Sequence, residues 1–380
     1  MNILVLTNYQ LYQDLSFSFV HAQVRAFVEQ GHQVRVLIYT AIGRRIYSGE
    51  QILLPLKKKV DGAELVFLPY LSLSNFGENG FNDKSALFFL RLFEKLVVDD
   101  FPAMVVHAHT LGAACNLGAF LKKRFHCPLV VTTHGSDSSI PLEQGKYDQM
   151  KALCKDADHI VAVSSVLGGK LRKCGTTTPI STILNGFAVQ HLPADIKKQP
   201  LSFIQVGQLS KQKRVDITIR AFAKIHTAHP SATLTIIGQG AERTALETLC
   251  AELNITRSVR FLGQIPNHEV LAEMATAQFF AMPSVREGFG IVYLEAMANG
   301  CITIGTEGEG ISDLIVHGEN GFLVPADDPD AIVNAVESCL QNSEQAKHIA
   351  HQGSSSAKEL TWSANAKKYI ELFEQLIRRS

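Results

Sequence analysis

The sequence has no long apolar run, and none of its stretches approaches the roughly 18 residues that a membrane-spanning helix needs. The apolar residues 3–6 follow Met1 and Asn2 directly, without a cationic segment or a small-residue cleavage site. This start predicts a first β-strand and no secretory signal peptide. We therefore expect a cytoplasmic protein that contacts a membrane, if at all, peripherally on its inner face.

Cysteine is present, but its spacing matches neither a disulfide framework nor a metal-binding motif. The seven cysteines are widely spaced, odd in number and never arranged as C-x-x-C. This excludes a disulfide framework and a zinc site, and it predicts buried free thiols in a reducing compartment.

A net charge is also missing, because 36 Lys and Arg residues balance 36 Asp and Glu residues. General nucleic-acid binding depends on an excess of positive charge, so we expect no nucleic-acid partner. Three local basic patches remain: Arg44-Arg45, Lys57-Lys58-Lys59 and Lys122-Lys123-Arg124. Each is either a solvated surface or part of a face that contacts anionic lipid or a phosphorylated acceptor.

Short apolar, β-branched runs alternate with amphipathic segments along the whole chain. The predicted strands are residues 3–7, 33–39, 65–69, 104–107, 129–132, 159–163, 180–184, 202–206, 233–237, 259–261, 279–282, 302–304 and 321–324. Helical periodicity covers residues 19–30, 86–99 and 111–124 between them. Nearly continuous apolar strands that alternate with helices predict an α/β fold with parallel sheets, which bind ligands at the carboxyl ends of their strands.

The chain length of 380 residues favours two domains. The polar stretch 192–200 separates two strand-helix series, so we predict doubly wound, Rossmann-like domains over residues 1–185 and 201–358, joined by a linker at 186–200. The two domains are expected to face a cleft that holds the site. Residues 359–380 form a last amphipathic helix, expected to pack back on the first domain.

The segment from Met282 to Gly300 is the most informative one for chemistry. A predicted strand ends at Pro283, glycines follow Glu287, and a helix begins near Gly290. Glycines let a backbone approach a ligand closely, and a helix N-terminus suits a diphosphate. Glu287 and Glu295 lie eight residues apart, so they are placed to hold different parts of an extended ligand and are not a packed acid/base pair. Taken alone, both could equally be surface residues of an ordinary strand-helix unit.

A second acidic cluster, Asp327-Asp328-Pro329-Asp330, suggests either a helix N-cap or a metal site. Its position between a predicted strand and a predicted helix favours the N-cap.

The pattern S-x-x-E-G-F-G-x-x-x-L-E-A-M-A-x-G, which contains Glu287 and Glu295, resembles the E-x7-E signature of the retaining GT-B glycosyltransferases of the glycogen-synthase-like family four. Further segments resemble the family's other motifs along nearly the whole chain. They are residues 206–209 with Lys213, residues 236–240, residues 261–263, residues 308–325, and in the first half residues 106–109, 133–135 and 163–164.

This resemblance implies roles for residues of the second domain. Glu295 would hold the ribose hydroxyls of a donor nucleotide, and Lys213 would contact its diphosphate. Glu287, with the backbone of Gly288, Phe289 and Gly290, would contact the transferred sugar. The backbone around Gly207 and Gly263 would complete the donor site, and His134 of the first domain would lie near the reacting sugar.

Two positions depart from the family pattern. Gln208 stands where the family commonly has Arg, and Arg214, beside Lys213, is a candidate to compensate. The first loop has Ser16-Phe17-Ser18-Phe19 where the family often has paired glycines, so it predicts no acceptor geometry.

The resemblance implies transfer of a hexosyl unit, with retention, from a nucleotide-diphosphate sugar to a sugar or lipid-linked glycan acceptor in cell-surface polysaccharide or glycolipid assembly. UDP is the expected nucleotide, with GDP next, and neither a metal nor another cofactor is expected. Two alternatives stay open: a nucleotide-sugar epimerase of the same fold, and a non-catalytic nucleotide-sugar-binding subunit. The sugar, the linkage and the oligomeric state are not predicted.

Overall fold

The computed structural model describes residues 1–8, 19–41, 56–70, 83–188 and 196–379. The chain divides into two compact units: Met1–Gly186 with Trp362–Ser380, and Phe187–Thr361. Each unit contains a largely parallel sheet with intervening helices, which confirms the predicted α/β class with two Rossmann-like domains. Within the predicted linker, a strand already begins at Gln199, and residues 189–195 lie outside the described part of the chain.

The first unit contains an eight-stranded sheet with the order β3-β4-β2-β1-β5-β6-β7-β8. Its strands are β1 Asn2–Asn8, β2 Gln33–Ala41, β3 Leu56–Val60, β4 Ala63–Tyr70, β5 Val105–His109, β6 Leu129–Thr133, β7 His159–Ala162 and β8 Ile180–Thr182. Every residue of β5 and β6 is buried. Parallel strands buried on both faces need such continuous apolar sequences, which is why they could be predicted.

Strand β3 was not predicted, because its sequence LKKKV was interpreted only as a basic patch. It pairs antiparallel with β4 at the edge of the sheet, with Lys58 opposite Leu65. Lysines on an edge strand hinder pairing with another chain, so the patch has a structural explanation.

The helices of the first unit before the domain boundary lie between these strands. They are α1 Phe19–Glu29, α2 Asp83–Leu92, α3 Glu94–Val97, α4 Ala113–Phe125, α5 Ser136–Glu143, α6 Tyr147–Cys154 and α7 Ser165–Arg172. The prediction of a single helix over residues 86–99 is wrong. The chain leaves helical geometry at Phe93, whose φ and ψ are −105° and 13°, so two helices, α2 and α3, take its place.

The second unit contains a six-stranded parallel sheet with the order β11-β10-β9-β12-β13-β14. Its strands are β9 Gln199–Val206, β10 Thr233–Ile237, β11 Val259–Gly263, β12 Ala277–Ala281, β13 Ile302–Thr306 and β14 Phe322–Val324. The strands that follow β9 in the chain, β10 and β11, lie on one side of it, and β12 with the strands that follow it, β13 and β14, lies on the other. The loops that follow β9 and β12 therefore diverge at a topological switch point, where doubly wound sheets bind ligands.

Six α-helices and three short 3₁₀ helices are described in this unit. They are α8 Val215–Ala228, α9 Arg243–Glu252, α10 Asn267–Thr276, α11 Ile291–Ala298, α12 Pro329–Gln341 and α13 Ser343–Lys358, with 3₁₀ helices Lys211–Lys213, Thr256–Ser258 and Gly310–Asp313. The Asp328 carboxylate accepts from the backbone N–H groups of Asp330 and Ala331, and Pro329 is the first residue of α12. The predicted N-cap at Asp328 is thus confirmed.

The last helix, α14 Trp362–Ile377, belongs to the first unit and packs on α1. Gln23 Nε2 donates to Asn365 Oδ1 at 2.7 Å, and the rings of Phe27 and Phe373 are 5.9 Å apart. Tyr369 and Thr132 share a hydrogen bond of 2.9 Å between their hydroxyl oxygens, which ties α14 to β6.

Two glycines let the loop after β10 pack directly on the loop after β9. A Cβ at Gly238, whose φ is +138°, would lie 1.9 Å from Gly207 O, and one at Gly240 would lie 2.1 Å from Leu209 O. Leu209 N donates to Gln239 O at 2.9 Å across the same contact. The G-x-G pattern here serves backbone packing beneath the loop that leads to Lys213.

Gly240→Ala is therefore expected to lower the free energy of unfolding by about 1–3 kcal/mol, the usual penalty for forcing an extra carbon into a packed site. For a unit of this size that corresponds to a fall in Tm of roughly 2–10 °C. Gly169→Ala is the matched control, because a Cβ at Gly169 in helix α7 has no atom within 4 Å and alanine favours a helix. Differential scanning calorimetry of both variants checks this, and equal Tm values would contradict it.

Candidate functional site

The loops that follow β9 and β12 are hydrogen-bonded to each other. Val285 N donates to Gln212 O at 2.9 Å, and Gln212 Nε2 donates to Arg286 O at 3.2 Å. The first loop leads into the 3₁₀ helix that ends at Lys213, and the second carries Glu287. The switch point thus brings together two residues that are 74 positions apart.

Lys213 Nζ and Glu287 Oε2 form a salt bridge. Their side chains are only 18% and 14% exposed, so the pair is partly shielded from water. The buried Gln205 amide donates to Lys213 O at 2.9 Å and fixes the backbone that presents the ammonium. Both residues were predicted for the site, but for different parts of a ligand, and their contact with each other was not predicted.

The glycine-containing loop after Glu287 is held by Glu309. Its carboxylate accepts from the backbone N–H of Arg286 at 2.9 Å and of Glu287 at 3.1 Å. Gly310 permits this approach, since a Cβ there would lie 2.1 Å from Gly288 O. Glu309 lies in the 308–325 segment that resembles the family, but no role was predicted for it.

Helix α11 begins after Gly290, whose φ of +82° places it in the left-handed region. Tyr293 in its first turn donates from its hydroxyl to Met282 O at 2.5 Å, which anchors the turn to the end of β12. The predicted helix start near Gly290 is confirmed. The structure thus places Gly288, Phe289 and Gly290 directly before a helix N-terminus, where backbone N–H groups favour an anion.

Glu295 lies in helix α11 and is half-buried. Among the residues that the structure describes, no hydrogen bond or ion pair engages its carboxylate. Burial raises the pKa of this carboxyl from its usual 4.5 to about 7. A desolvated carboxylate without a cation is costly for folding alone, which makes Glu295 a candidate for ligand binding.

The remaining predicted donor residues lie around these loops. Gly207 follows β9, Gln208 is exposed beside it, and Gly263 ends β11, where its carbonyl accepts from Gly238 N at 2.8 Å. Arg214 contacts the carboxylates of Asp216, at 3.4 Å, and Asp327. Two carboxylates therefore already offset the charge that was predicted to compensate for Gln208.

Arg243 is a residue that sequence reasoning missed. Its guanidinium lies 5.6 Å from the centre of the Phe261 ring, and Nη1 is 3.6 Å from the position of a Cβ at Gly263. It is a cation beside the segment expected to contact a nucleotide base, but nothing in its sequence context marks it.

His134 belongs to the first unit and follows β6. Asp137 Oδ1 accepts from the backbone N–H of His134 at 3.0 Å and of Gly135 at 2.9 Å, and Asp137 Oδ2 accepts from Leu111 N at 2.8 Å. The His134 ring lies 4.4 Å from that of Phe19. Asp137 fixes the turn and was not predicted, although it lies in the first turn of helix α5, three residues after the histidine.

His134 is half-buried and lies beside two buried histidines of β5, His107 and His109. His109 Nδ1 and His134 Nε2 are 3.0 Å apart, and the rings of His107 and His109 are 4.4 Å apart. Burial lowers the pKa of both His107 and His134 to about 3, and that of His109 well below its usual 6.5. All three are neutral at physiological pH.

Two of the three basic patches contain residues that are paired with carboxylates. Lys57 Nζ lies 2.9 Å from Asp100, Lys122 Nζ lies 2.7 Å from Asp158, and Arg124 contacts Glu94 and Asp99. Arg44 and Arg45 lie outside the described residues. These pairs weaken the argument for an anionic-membrane face, which stays a prediction.

Within the described ranges, no helix is both long and apolar enough to cross a bilayer. In the same part of the chain, no three His, Cys, Asp or Glu side chains are grouped so that they could hold a metal ion.

Family models match most of the chain. Residues 18–191 match the model described as Glycosyltransferase Family 4, and residues 190–356 match the model described as Glycosyl transferases group 1. A D-inositol 3-phosphate glycosyltransferase from Corynebacterium urealyticum is 33% identical over 178 residues, which are 45% of this chain and 42% of that protein. The match therefore spans less than half the length of this curated relative.

Solved structures resemble the whole chain. Sucrose-phosphate synthase from Thermosynechococcus elongatus has a TM-score of 0.78 and 21% identity, with all of both chains covered. Anabaena HepE in complex with UDP and glucose has a TM-score of 0.73 and 18% identity, covering 99% of this chain and 100% of that one. At these identities the likeness shows the fold. With the two family models side by side over residues 18–356, the chain belongs to the GT-B glycosyltransferases of the family-four type.

Proposed function

We propose that this protein transfers a hexosyl unit from a UDP-sugar, with retention of anomeric configuration, to a sugar or lipid-linked glycan acceptor in the assembly of a cell-surface polysaccharide or glycolipid. The observation that supports nucleotide-sugar binding is Glu295, a half-buried carboxylate without a partner in the described structure. It lies in helix α11, which follows the loop that carries Glu287 of the Lys213–Glu287 pair. The structural likeness to HepE, whose complex holds UDP and glucose, supports uridine as the base.

The donor roles follow from charge and position. Glu295 accepts hydrogen bonds from the ribose hydroxyls, while the amides of Gly288 to Gly290 and the α11 N-terminus face the diphosphate. On donor binding, Lys213 leaves its salt bridge with Glu287 and contacts phosphate oxygens instead. The Glu287 carboxylate is then free to accept hydrogen bonds from hydroxyls of the transferred sugar. The role of His134 toward the sugar stays a prediction from the family resemblance.

In the reaction the bond between the anomeric carbon and the β-phosphate oxygen breaks, and the acceptor oxygen bonds to the same face of that carbon. The acceptor proton passes to the departing phosphate oxygen. Negative charge grows on the leaving UDP, so the residues that stabilise it contribute most. Lys213 and the Gly288 to Gly290 amides supply that stabilisation, and we propose that no divalent metal or other cofactor is required.

The test is thermal stabilisation by a panel of UDP, GDP, ADP and NAD on the wild type and on Glu295→Ala. A ligand at a hundredfold excess over its Kd adds about 2.7 kcal/mol, which is visible as a shift of several degrees. We expect UDP to stabilise the wild type and not the variant. If no nucleoside diphosphate stabilises the wild type, the proposed donor site is wrong.

A second measurement follows product formation from UDP-glucose with an oligosaccharide acceptor, in buffer containing EDTA. Retained activity supports metal-independent transfer, and activity that returns only with Mg²⁺ or Mn²⁺ contradicts it. A product formed from the donor alone would instead support an epimerase.

A further inference from the structure

Glu309 and Gly310 fix the backbone of Glu287 immediately before and after its Cα. The Glu309 carboxylate accepts from the backbone N–H of Glu287 at 3.1 Å, and the backbone N–H of Gly310 donates to the carbonyl oxygen of Glu287 at 3.3 Å. The other oxygen of the same carboxylate accepts from the N–H of Arg286 at 2.9 Å. All of these residues belong to the second unit, so the arrangement is complete within it.

The two amides that point at Glu309 form a small anion site. The backbone of Arg286 has a φ of +58°, in the left-handed region that residues with a side chain seldom occupy. Successive backbone N–H groups with a common direction make a concavity that binds an anion. Glu309 supplies that anion from within the chain, so these two amides are taken and the Gly288 to Gly290 amides are left for a ligand.

The fixed backbone also decides where the Glu287 carboxylate lies. Its side chain is 14% exposed and forms the salt bridge with Lys213. The backbone of Lys213 is fixed separately, because the Gln205 amide donates to its carbonyl oxygen. Each member of the pair therefore has its own support, and Glu309 provides the one for Glu287.

We infer that Glu309 is a positioning residue that acts through Glu287: its carboxylate fills the two-amide anion site and so holds the Glu287 carboxylate at Lys213, where it meets the transferred sugar. The consequence for catalysis rests on the proposed function, whereas the hold on the loop does not. Glu309 has φ and ψ of −107° and 172°, an extended backbone that any residue adopts, so a substitution there removes the side chain without straining the chain.

The hold on the loop is tested without ligand, by hydrogen–deuterium exchange with mass spectrometry of peptides that cover residues 284–288. We expect the amides of Arg286 and Glu287 to exchange about tenfold faster in Glu309→Ala than in the wild type, because each loses a hydrogen bond to a charged group. Glu307→Ala is the matched control, since Glu307 is an exposed carboxylate two residues earlier in the same loop. Equal exchange in Glu309→Ala and the wild type would overturn the positioning role.

Kinetics with UDP-glucose test the consequence for catalysis. Glu309→Ala is expected to lower kcat about ten- to a hundredfold, the loss that follows a small displacement of a group in the site. It should bind UDP no more weakly than the wild type, because the two freed amides and a less firmly paired Lys213 all favour an anion. Glu309→Gln keeps one acceptor oxygen and should restore part of kcat, and Glu307→Ala should leave kcat within about twofold of the wild type.

A double-mutant cycle shows whether Glu309 acts through Glu287. In a Glu287→Ala background, Glu309→Ala is expected to change kcat by less than about threefold, because the group that it positions is gone. An undiminished effect in that background, or parallel losses of kcat and UDP affinity in the single variant, would overturn the inference. A wild type that neither binds UDP nor transfers sugar would contradict the proposed function, while the exchange measurement still decides whether Glu309 holds the loop.

Discussion

Replacing Lys213 with alanine is expected to lower kcat by about 10²–10³, the loss that follows removal of one group that stabilises developing negative charge. The structure already places the ammonium at the switch point, partly shielded from water and held by Glu287. In a partly dry site a single positive charge stabilises a departing diphosphate far more than it does in bulk water. Steady-state kinetics with UDP-glucose measure the effect.

Lys211→Ala is the matched control, because Lys211 begins the same 3₁₀ helix but is exposed. We expect its kcat to stay within about twofold of the wild type, as for surface charges in general. Glu287→Gln adds a second comparison: it frees Lys213 from its partner, so it should tighten binding of UDP alone while it slows transfer. A Lys213→Ala enzyme with nearly normal kcat and an intact fold would place leaving-group stabilisation on other residues.

The affinity for UDP-glucose is expected to rise about tenfold from pH 6 to pH 8, because a carboxyl with a pKa near 7 is mostly neutral at the lower pH and mostly ionised at the higher. Only the ionised Glu295 can accept from both ribose hydroxyls, so binding should favour the charged form and release a proton. UDP-glucose is the suitable ligand, since its diphosphate diester does not titrate in this range. Isothermal titration calorimetry in buffers of different ionisation enthalpy measures both the affinity and the released proton.

Glu295→Gln should bind more weakly at pH 8 and lose the pH dependence. Stability gives an independent check of the sign. The folded-state pKa lies above that of the unfolded chain, so folding is penalised as pH rises from about 4.5 to 7, by about 3 kcal/mol in full. Glu295→Gln should therefore be more stable than the wild type at pH 8 and equal to it near pH 4. An affinity for UDP-glucose that is flat between pH 6 and 8 in the wild type would show that Glu295 does not titrate with binding.

Local patterns determined much of the donor region in advance. The apolar runs that form β9 and β12 are mostly buried. Strands of a parallel sheet that is covered on both faces need such nearly continuous apolar sequences, so they could be recognised in advance. Gly290 allowed the start of α11 to be predicted, because its left-handed backbone favours glycine. The acidic cluster was predicted to cap a helix because it follows a strand and precedes a helical segment, and Asp328 is the N-cap of α12.

Long-range contacts were beyond the reach of the same reasoning. The short strand β3 is defined by its pairing with β4, and its lysines carry no apolar periodicity that would reveal it. The Glu309 carboxylate accepts from the backbone N–H of Glu287, 22 residues earlier in the chain, and no local sequence pattern predicts that contact.

The sequence by itself determined the alternation of strands and helices, the break between two series, and the residues of the E-x7-E segment, because each depends on interactions between near neighbours in the chain. Only the tertiary structure decided that Lys213 and Glu287 are paired, that two carboxylates engage Arg214, that Glu295 is desolvated, and that His109 contacts His134. Those facts depend on which strands lie side by side in a sheet. Strand order brings residues dozens of positions apart into contact, and it sets the burial that decides their charge.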